Sequence, residues 1–589
     1  MLRRDKDEHY LPDACRPEDR SVLGLVETGI GADQSREKGS RMLTDSRTIP
    51  DGTQIQTDIC IIGGGVAGLT LARELARHAL DVWVLESGGI EHDDKVQVLS
   101  RGEISGLPYD PLDVTRLRRL GGTSHLWKLD LPNGGIGARL LPLDQIDFEA
   151  RKGVPYSGWP FTKRTLDPYY ARAHEVCGLE RDTYDPDHWE EPPGRPHLDA
   201  TLSKLRTTIF QLGDRESFTG DIIRTLSEAD KVTTAYYAHV TQVRLDESNA
   251  RVSEVQVARM DGGEGFSVSA TVFVLATGGI ENARLLLAWN RTHQDRLGNQ
   301  HDLVGRFFME HPKFRPESWL FVTSSDNELK KRIAFYLPHE AKGTPIMGQL
   351  GASPELLRRE QTLNFCASFH PRSFVPEVVT SLRSLRSGAA VRKGWRMVGY
   401  QVKRLLTHLD QLPVVVQRRL RQRLRSSDEA ARDRFGAFVL QCVMEQCPNP
   451  ESRVLLTERK DALGLNLPRL DWRLTELDRV AMDHAYRVVN EEVSRLGLAT
   501  RRGDEDATII PESFGFGHHH MGTTRMDPDA RQGVVDEHCR VHGVKNLFVA
   551  GSSVFPTSGH ANPTLTLIAL AIRLADHIAD TTRDTTARR

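Results

Sequence analysis

The chain has no uninterrupted apolar run of about 18 residues, so no membrane span is expected. It also lacks an excess of charge of either sign. With 78 Lys and Arg against 80 Asp and Glu, the formal net charge is -2, which removes the electrostatic argument for a nucleic-acid or acidic-surface partner. The opening Met1-Leu2-Arg3-Arg4-Asp5-Lys6-Asp7-Glu8 has no apolar segment behind its basic residues, so a secretory leader is not expected. Cysteine is scarce. The seven present are scattered and odd in number, which fits reduced thiols in a cytoplasm better than a disulfide framework. Cys442 and Cys447 have the gap of a redox-active pair, but they lie far downstream of the first glycine loop and read as two ordinary thiols. At 589 residues there is room for two or more domains with their own cores.

Residues 1–50 are polar and aperiodic and read as an N-terminal arm, with a short packing segment at Val22–Val26. The first ordered signal is Thr57-Asp58-Ile59-Cys60-Ile61-Ile62, a buried strand, running into Gly63-Gly64-Gly65-Val66-Ala67-Gly68 and a helix to about Arg77. In this Gly-x-Gly-x-x-Gly loop, Gly63 makes the turn and Gly65 admits a pyrophosphate, while Gly68 lets the helix lie close to the strand. A second strand, Asp81–Leu85, ends at Glu86, 18 residues after Gly68 and where a carboxylate takes ribose hydroxyls. The loop does not distinguish FAD from NAD. His239–Val243 and Val252–Val257 alternate like sheet strands, and Thr271–Ala276 is another buried strand ending in glycines, followed by a helix from Ile280.

Two C-terminal stretches carry the chemistry: Gly517-His518-His519-His520-Met521-Gly522-Thr523-Thr524-Arg525-Met526 and Ser558-Gly559-His560-Ala561-Asn562-Pro563-Thr564. A histidine held by glycine turns, with an asparagine at a helix mouth, supplies a proton acceptor and a group to orient a hydroxyl. A metal reading of His518, His519 and His520 with Cys539 and His542 is disfavoured. Adjacent histidines point in different directions, and the spacings match no common zinc motif, so no metal is expected. A structural reading, with the histidines packed among Phe514, Phe516 and Met521, stays open for His518 and His520.

These motifs resemble the glucose-methanol-choline (GMC) oxidoreductases, whose pattern reads His-x-x-Gly-Thr-x-x-Met and then, in one branch, Asn-Pro-Thr. Within the family the resemblance is to the pyranose oxidase and bacterial glycoside oxidase branch, and it covers roughly residues 55–585. It implies an α/β fold (α+β overall). A Rossmann-like FAD-binding domain, discontinuous in sequence, would join a sheet-based substrate domain carrying a helical insertion. The implied bounds are 51–310 for the first part of the FAD domain, with an interposed flavin-lid segment at about 142–200. They are 311–514 for the substrate domain, with its insertion at 376–434, and 515–589 for the returning FAD domain. A long amphipathic helix is expected over 475–497. The basic face of the insertion reads as a solvated cap or oligomer contact, or else as a surface for a membrane or partner.

The resemblance also implies site residues. His519, three places before Gly522, is the base, and Asn562 is its partner. Gly121, Gly122, Thr123 and Ser124 lie along the flavin, Val240 passes the adenine, and Ala276 belongs to a second nucleotide-contacting turn. Gly551 and Ser552 meet the pyrophosphate or ribityl chain, while Pro563 and Thr564 open a helix toward the flavin pyrimidine edge. With Gly63, Gly65, Ala67, Gly68 and Glu86 they form the expected FAD site. Pyranose oxidases link flavin to a histidine directly before the tryptophan of this stretch. Here Leu126 precedes Trp127 and His125 is displaced by one place, to the opposite face if the segment is extended, so FAD is expected to be non-covalent. The implied reaction is CH–OH oxidation by proton abstraction and hydride transfer, on a sugar or glycoside, or alternatively on a secondary metabolite or aminosugar. The electron acceptor is oxygen or another compound, and an oligomer is possible. A lyase or other non-redox flavoprotein on the same fold is the alternative of another class.

Overall fold

The computed structural model describes residues 43–179, 183–190, 197–198, 202–314, 319–321, 332–372, 402, 437–496, 500–502 and 515–587. Two large sheets organise them, beside a third of three strands, Arg453–Lys460, Asn466–Trp472 and Glu103–Gly106. The first grows from the glycine loop. Gln54–Ile62 ends in Ile59, Cys60, Ile61 and Ile62, all at most 2% exposed, because both faces of a parallel strand are covered. The helix Val66–Leu75 follows, two residues shorter than expected, and Val82–Leu85 pairs in parallel with the first strand. The eight-stranded order runs 43–45, 232–236, 82–85, 54–62, 266–275, 252–258 and 239–245, with Leu547–Val549 pairing parallel to Phe266–Leu275. The last residues of the polar arm thus supply an edge strand, Leu43–Asp45, and the sheet draws on segments from position 43 to position 549.

The second sheet has ten strands, centred on Leu205–Asp214, Thr344–Ala352, Phe365–Arg372 and Ala437–Met444 in antiparallel array. Period-two alternation splits its residues cleanly. Ile209, Leu350, Phe365 and Ala367 pack with Met482 and Val489 of the helix Glu476–Arg495. Phe210, Leu212, Met347, Cys366 and Val443 join the core of the first sheet. That helix starts where Thr475 and Asp478 cap each other's backbone N–H groups. The fold class is the one expected. A short helix, Pro354–Glu360, interrupts the sheet expected over 313–373. The 376–434 insertion, except Val402, lies outside the described residues, as do Val22–Val26 and Phe514.

Candidate active site

A cavity of about 300 Å³ opens between the first sheet and the C-terminal segment, with walls drawn from Ile62 through Leu567. Its glycines fall into two kinds. A Cβ on Gly63 would sit 2.6 Å from the Ala276 carbonyl oxygen, and one on Gly68 would sit 1.9 Å from the Gly63 carbonyl oxygen, so both are needed for close packing. A Cβ on Gly65 would meet no protein atom within 4 Å. Gly65 borders open cavity at the N-terminus of the Val66–Leu75 helix, which no side chain caps. Uncapped N–H groups beside open space make a cradle for a pyrophosphate. Next along the wall, the Glu86 carboxylate accepts the N–H groups of Gly64 at 2.7 Å and Gly88 at 2.6 Å. Burial raises its pKa, and these two N–H groups pull it back down.

Fifteen of the expected residues line this cavity: Gly63, Gly65, Ala67, Glu86, Gly122, Thr123, Ser124, Val240, Ala276, His519, Gly551, Ser552, Asn562, Pro563 and Thr564. Gly68 and Gly121 do not line it. Gly68 serves the helix contact just described. Gly121 has φ +88° and donates to the Gly64 carbonyl at 2.8 Å, turning the chain behind the cavity wall. The stretch after it is not extended. Gly122–Leu126 forms a 3₁₀ turn, so side chains rotate by about 120° per residue rather than alternating. His125 turns back to the Leu120 carbonyl, 2.9 Å from its Nε2, and is not among the lining residues.

At the other end stands His519. Gly517 leaves the space for its ring, since a Cβ there would lie 2.5 Å from the His519 Nδ1. The buried Glu310 carboxylate holds the loop by accepting the Gly517 N–H at 3.2 Å and the His519 N–H at 3.0 Å. The hydroxyl of Tyr109 donates to the same carboxylate at 2.5 Å. Tyr109 also contacts the His520 Nε2 at 3.1 Å, so His520 is committed to this network. The His518 Nε2 faces the Asp110 carboxylate at 2.9 Å. Of the three histidines, His519 is the one whose ring meets a second imidazole, with its Nδ1 2.8 Å from the Nδ1 of His311. Burial, then His311, Lys313 and Arg139, hold the His519 pKa well below 6.5. Burial likewise pushes His311 down to about 3.

Asn562 is half-buried on the cavity wall, and among the described residues its side-chain amide makes no hydrogen bond. Pro563 follows, its carbonyl accepting the Leu567 N–H at 2.9 Å as the Thr564–Ala587 helix begins. His560 is 2% exposed and lies edge-on to Phe210. Glu310, His311 and Tyr109 were missed as site residues. The Glu310-His311-Pro312 run marked a domain junction, and nothing local ties it to a loop two hundred residues later. Among the described residues no group of three His, Cys, Asp or Glu is arranged to hold a metal ion, and all six described cysteines are free and buried.

Residues 448–571 match the family model described as GMC oxidoreductase, and residues 58–307 match that of an FAD binding domain. Over 581 residues the chain is 25% identical to the 6'''-hydroxyparomomycin C oxidase of Streptomyces lividus, covering 89% of this chain and 92% of that one. A C-glycoside 3-oxidase of Arthrobacter globiformis is 40% identical over 124 residues, 20% of this chain and 22% of that one. Among solved structures, a formate oxidase of Aspergillus oryzae superposes with TM-score 0.51 at 16% identity, over 91% of this chain and 100% of the other, a likeness of fold.

Proposed function

Since the chain belongs to the glucose-methanol-choline oxidoreductases and is an FAD-dependent enzyme acting on CH–OH groups, we propose that it oxidises a sugar or glycoside hydroxyl with His519 as base. The observation that carries this reading is the His519–His311 contact on the wall of a cavity whose glycine cradle fits a dinucleotide. Two Nδ1 atoms at 2.8 Å share one proton. With that proton on His519, its Nε2 is the free lone pair and takes the substrate's hydroxyl proton. Burial keeps the imidazole in this neutral form. Bound flavin supplies the acceptor for the carbon-bound hydride. Asn562, with an uncommitted amide, hydrogen-bonds the reacting oxygen and orients the C–H bond. The cradle at Gly65 and the uncapped helix hold the pyrophosphate, and Glu86 with Val240 borders the adenosine half.

The glycoside substrate draws support from the C-glycoside 3-oxidase relative, and oxidation of an aminosugar from the paromomycin-type relative. The flavin is held without a covalent link, because His125 is engaged with Leu120. Buried free thiols support a cytoplasmic location, and no described helix is long and apolar enough to cross a membrane. The test is anaerobic mixing of the holoenzyme with a panel of sugars, glycosides and aminosugars. Bleaching of the flavin by a member is expected, and readmitted air then reports whether oxygen is the acceptor. A flavin that no alcohol bleaches would overturn the reading.

A further inference from the structure

The segments that carry the two facing imidazoles run antiparallel and are joined at both ends. Met309 exchanges backbone hydrogen bonds with Met521, and Lys313 with Gly515, so five residues of one segment face seven of the other. The excess leaves the ladder as a bulge around His518, whose φ is +56°, a left-handed value that residues other than glycine seldom adopt. A bulge strands backbone N–H groups, and burial makes each stranded donor costly. Here the Glu310 carboxylate takes them. Its Oε1 accepts the N–H of Gly517 at 3.2 Å, of His519 at 3.0 Å and of its own neighbour His311 at 2.7 Å. N–H groups on either side of a left-handed residue converge as a nest, a concavity that binds an anion.

Glu310 is fully buried, and among the described residues it forms no ion pair. Its charge is met by donors instead. Oε2 accepts the Tyr109 hydroxyl at 2.5 Å and shares the His519 N–H at 3.1 Å. Burial and the carboxylate keep that hydroxyl protonated, so Tyr109 donates to Glu310 and accepts from the His520 Nε2–H. The main chain of Glu310 is moored in turn. Its N–H donates to the Gln446 side-chain carbonyl at 2.9 Å, which also accepts the Trp472 indole N–H at 3.0 Å. Hydrogen bonds to a carboxylate are about twice as strong as those to a neutral acceptor. This one acts on the main chain of both His311 and His519, whose Nδ1 atoms meet at 2.8 Å.

We propose that Glu310 is the positioning residue of the oxidation: without touching substrate, its carboxylate closes the His518 bulge and holds the His519 ring against His311. This rests on His519 being the base of an alcohol oxidation. One anion then sets where both imidazoles stand, and the nest closes fully only around a charged acceptor.

The test uses Glu310→Ala and Glu310→Gln holoenzyme, with two readouts. The first is the downfield proton resonance of the His311–His519 pair, assigned by its loss in His311→Phe, and it needs no substrate. The second is anaerobic flavin reduction by the sugar or glycoside that bleaches wild type fastest. In Glu310→Ala the resonance should vanish and the rate at saturating substrate should fall by about 10²-fold, the scale of a catalytic group misplaced by about 1 Å, with KM and flavin content nearly unchanged. Glu310→Gln should regain about tenfold of that loss, since its carbonyl still accepts the nest N–H groups without the charge. A merely structural carboxylate would instead lower flavin content and Tm while the flavin that remains is reduced at the wild-type rate. That result overturns the proposal, as does an effect confined to KM. If Glu310→Ala does not fold, Glu310→Gln decides: a wild-type rate with the resonance intact overturns the assignment, and a rate about tenfold lower with KM unchanged sustains it. If no alcohol reduces the wild-type flavin, the oxidation reading itself falls, while the resonance still tests the hold of Glu310 on the pair.

Discussion

His311 and His519 face each other through their Nδ1 atoms at 2.8 Å, so one of the two donates and the other accepts. This fixes which nitrogen of His519 is free for chemistry, and it does so with a partner 208 residues away in the chain.

Replacing His519 by Ala should leave FAD bound and slow anaerobic flavin reduction by about 10²–10⁴-fold, the scale of a lost general base. His518→Ala and His520→Ala should cost less, because their rings are committed to Asp110 and Tyr109. Asn562→Ala should slow reduction with the visible spectrum mostly intact. Stopped-flow bleaching of the four variants decides this, and a dead His520→Ala beside a nearly normal His519→Ala would move the base by one residue.

The pH profile should be flat where an ordinary imidazole would titrate. Burial holds His519 neutral well below its usual 6.5, so the accepting form persists as acid is added. Flavin reduction at saturating substrate should change by less than about threefold between pH 8 and 5. A histidine of pKa 6.5 would lose about thirtyfold at pH 5.

Stability should show the opposite sensitivity. His239 and His311 are lowered to about 3 and His560 to about 4, so the folded protein refuses protons that the unfolded chain binds below 6.5. Stability is therefore lost as pH falls from about 6.5 toward 4, by roughly 1.4 kcal/mol per pH unit for each such histidine. Thermal melts from pH 7 to 5 should show a falling Tm, with a shallower fall in His560→Phe.

Two glycine substitutions should separate packing from cofactor space. Gly65→Val should yield folded protein without flavin, since the added Cβ has no protein atom within 4 Å and its methyl groups extend into the cradle. Gly68→Ala should fail to fold, with its Cβ 1.9 Å from the Gly63 carbonyl oxygen. Circular dichroism and the 450 nm flavin band read both.

Acid precipitation of wild-type holoenzyme should leave all yellow colour in the supernatant. His125 is turned toward the Leu120 carbonyl and away from the cavity lining. Colour retained in the pellet would instead establish a covalent link.

What the chain disclosed in advance is what short spacing encodes. The Gly63–Gly68 loop and Glu86 lie within one βαβ unit, and Pro563 and Thr564 open one helix, so local rules reach them. The His125 register was read on the condition of an extended strand, and that condition is not met, because the Gly121 turn winds the stretch into a 3₁₀ helix. Glu310, Tyr109 and His311 were illegible for a different reason. Their meaning lies in contacts spanning about two hundred residues or more, and no periodicity records which carboxylate will receive which N–H.

The cavity whose walls run from Ile62 to Leu567 also sets an order of events at the ribosome. When Phe266–Leu275 has emerged and paired with Gln54–Ile62, its other edge is covered by Val252–Ala258 only at the Phe266–Ser269 end, and Phe273–Leu275 still awaits Leu547–Val549, more than 270 residues of translation later. Until then the nascent domain has an uncovered strand edge and half a dinucleotide site. The full cradle for FAD exists only once Pro563, Thr564 and Leu567 have been made, and the interval before that is when chaperones have most to protect.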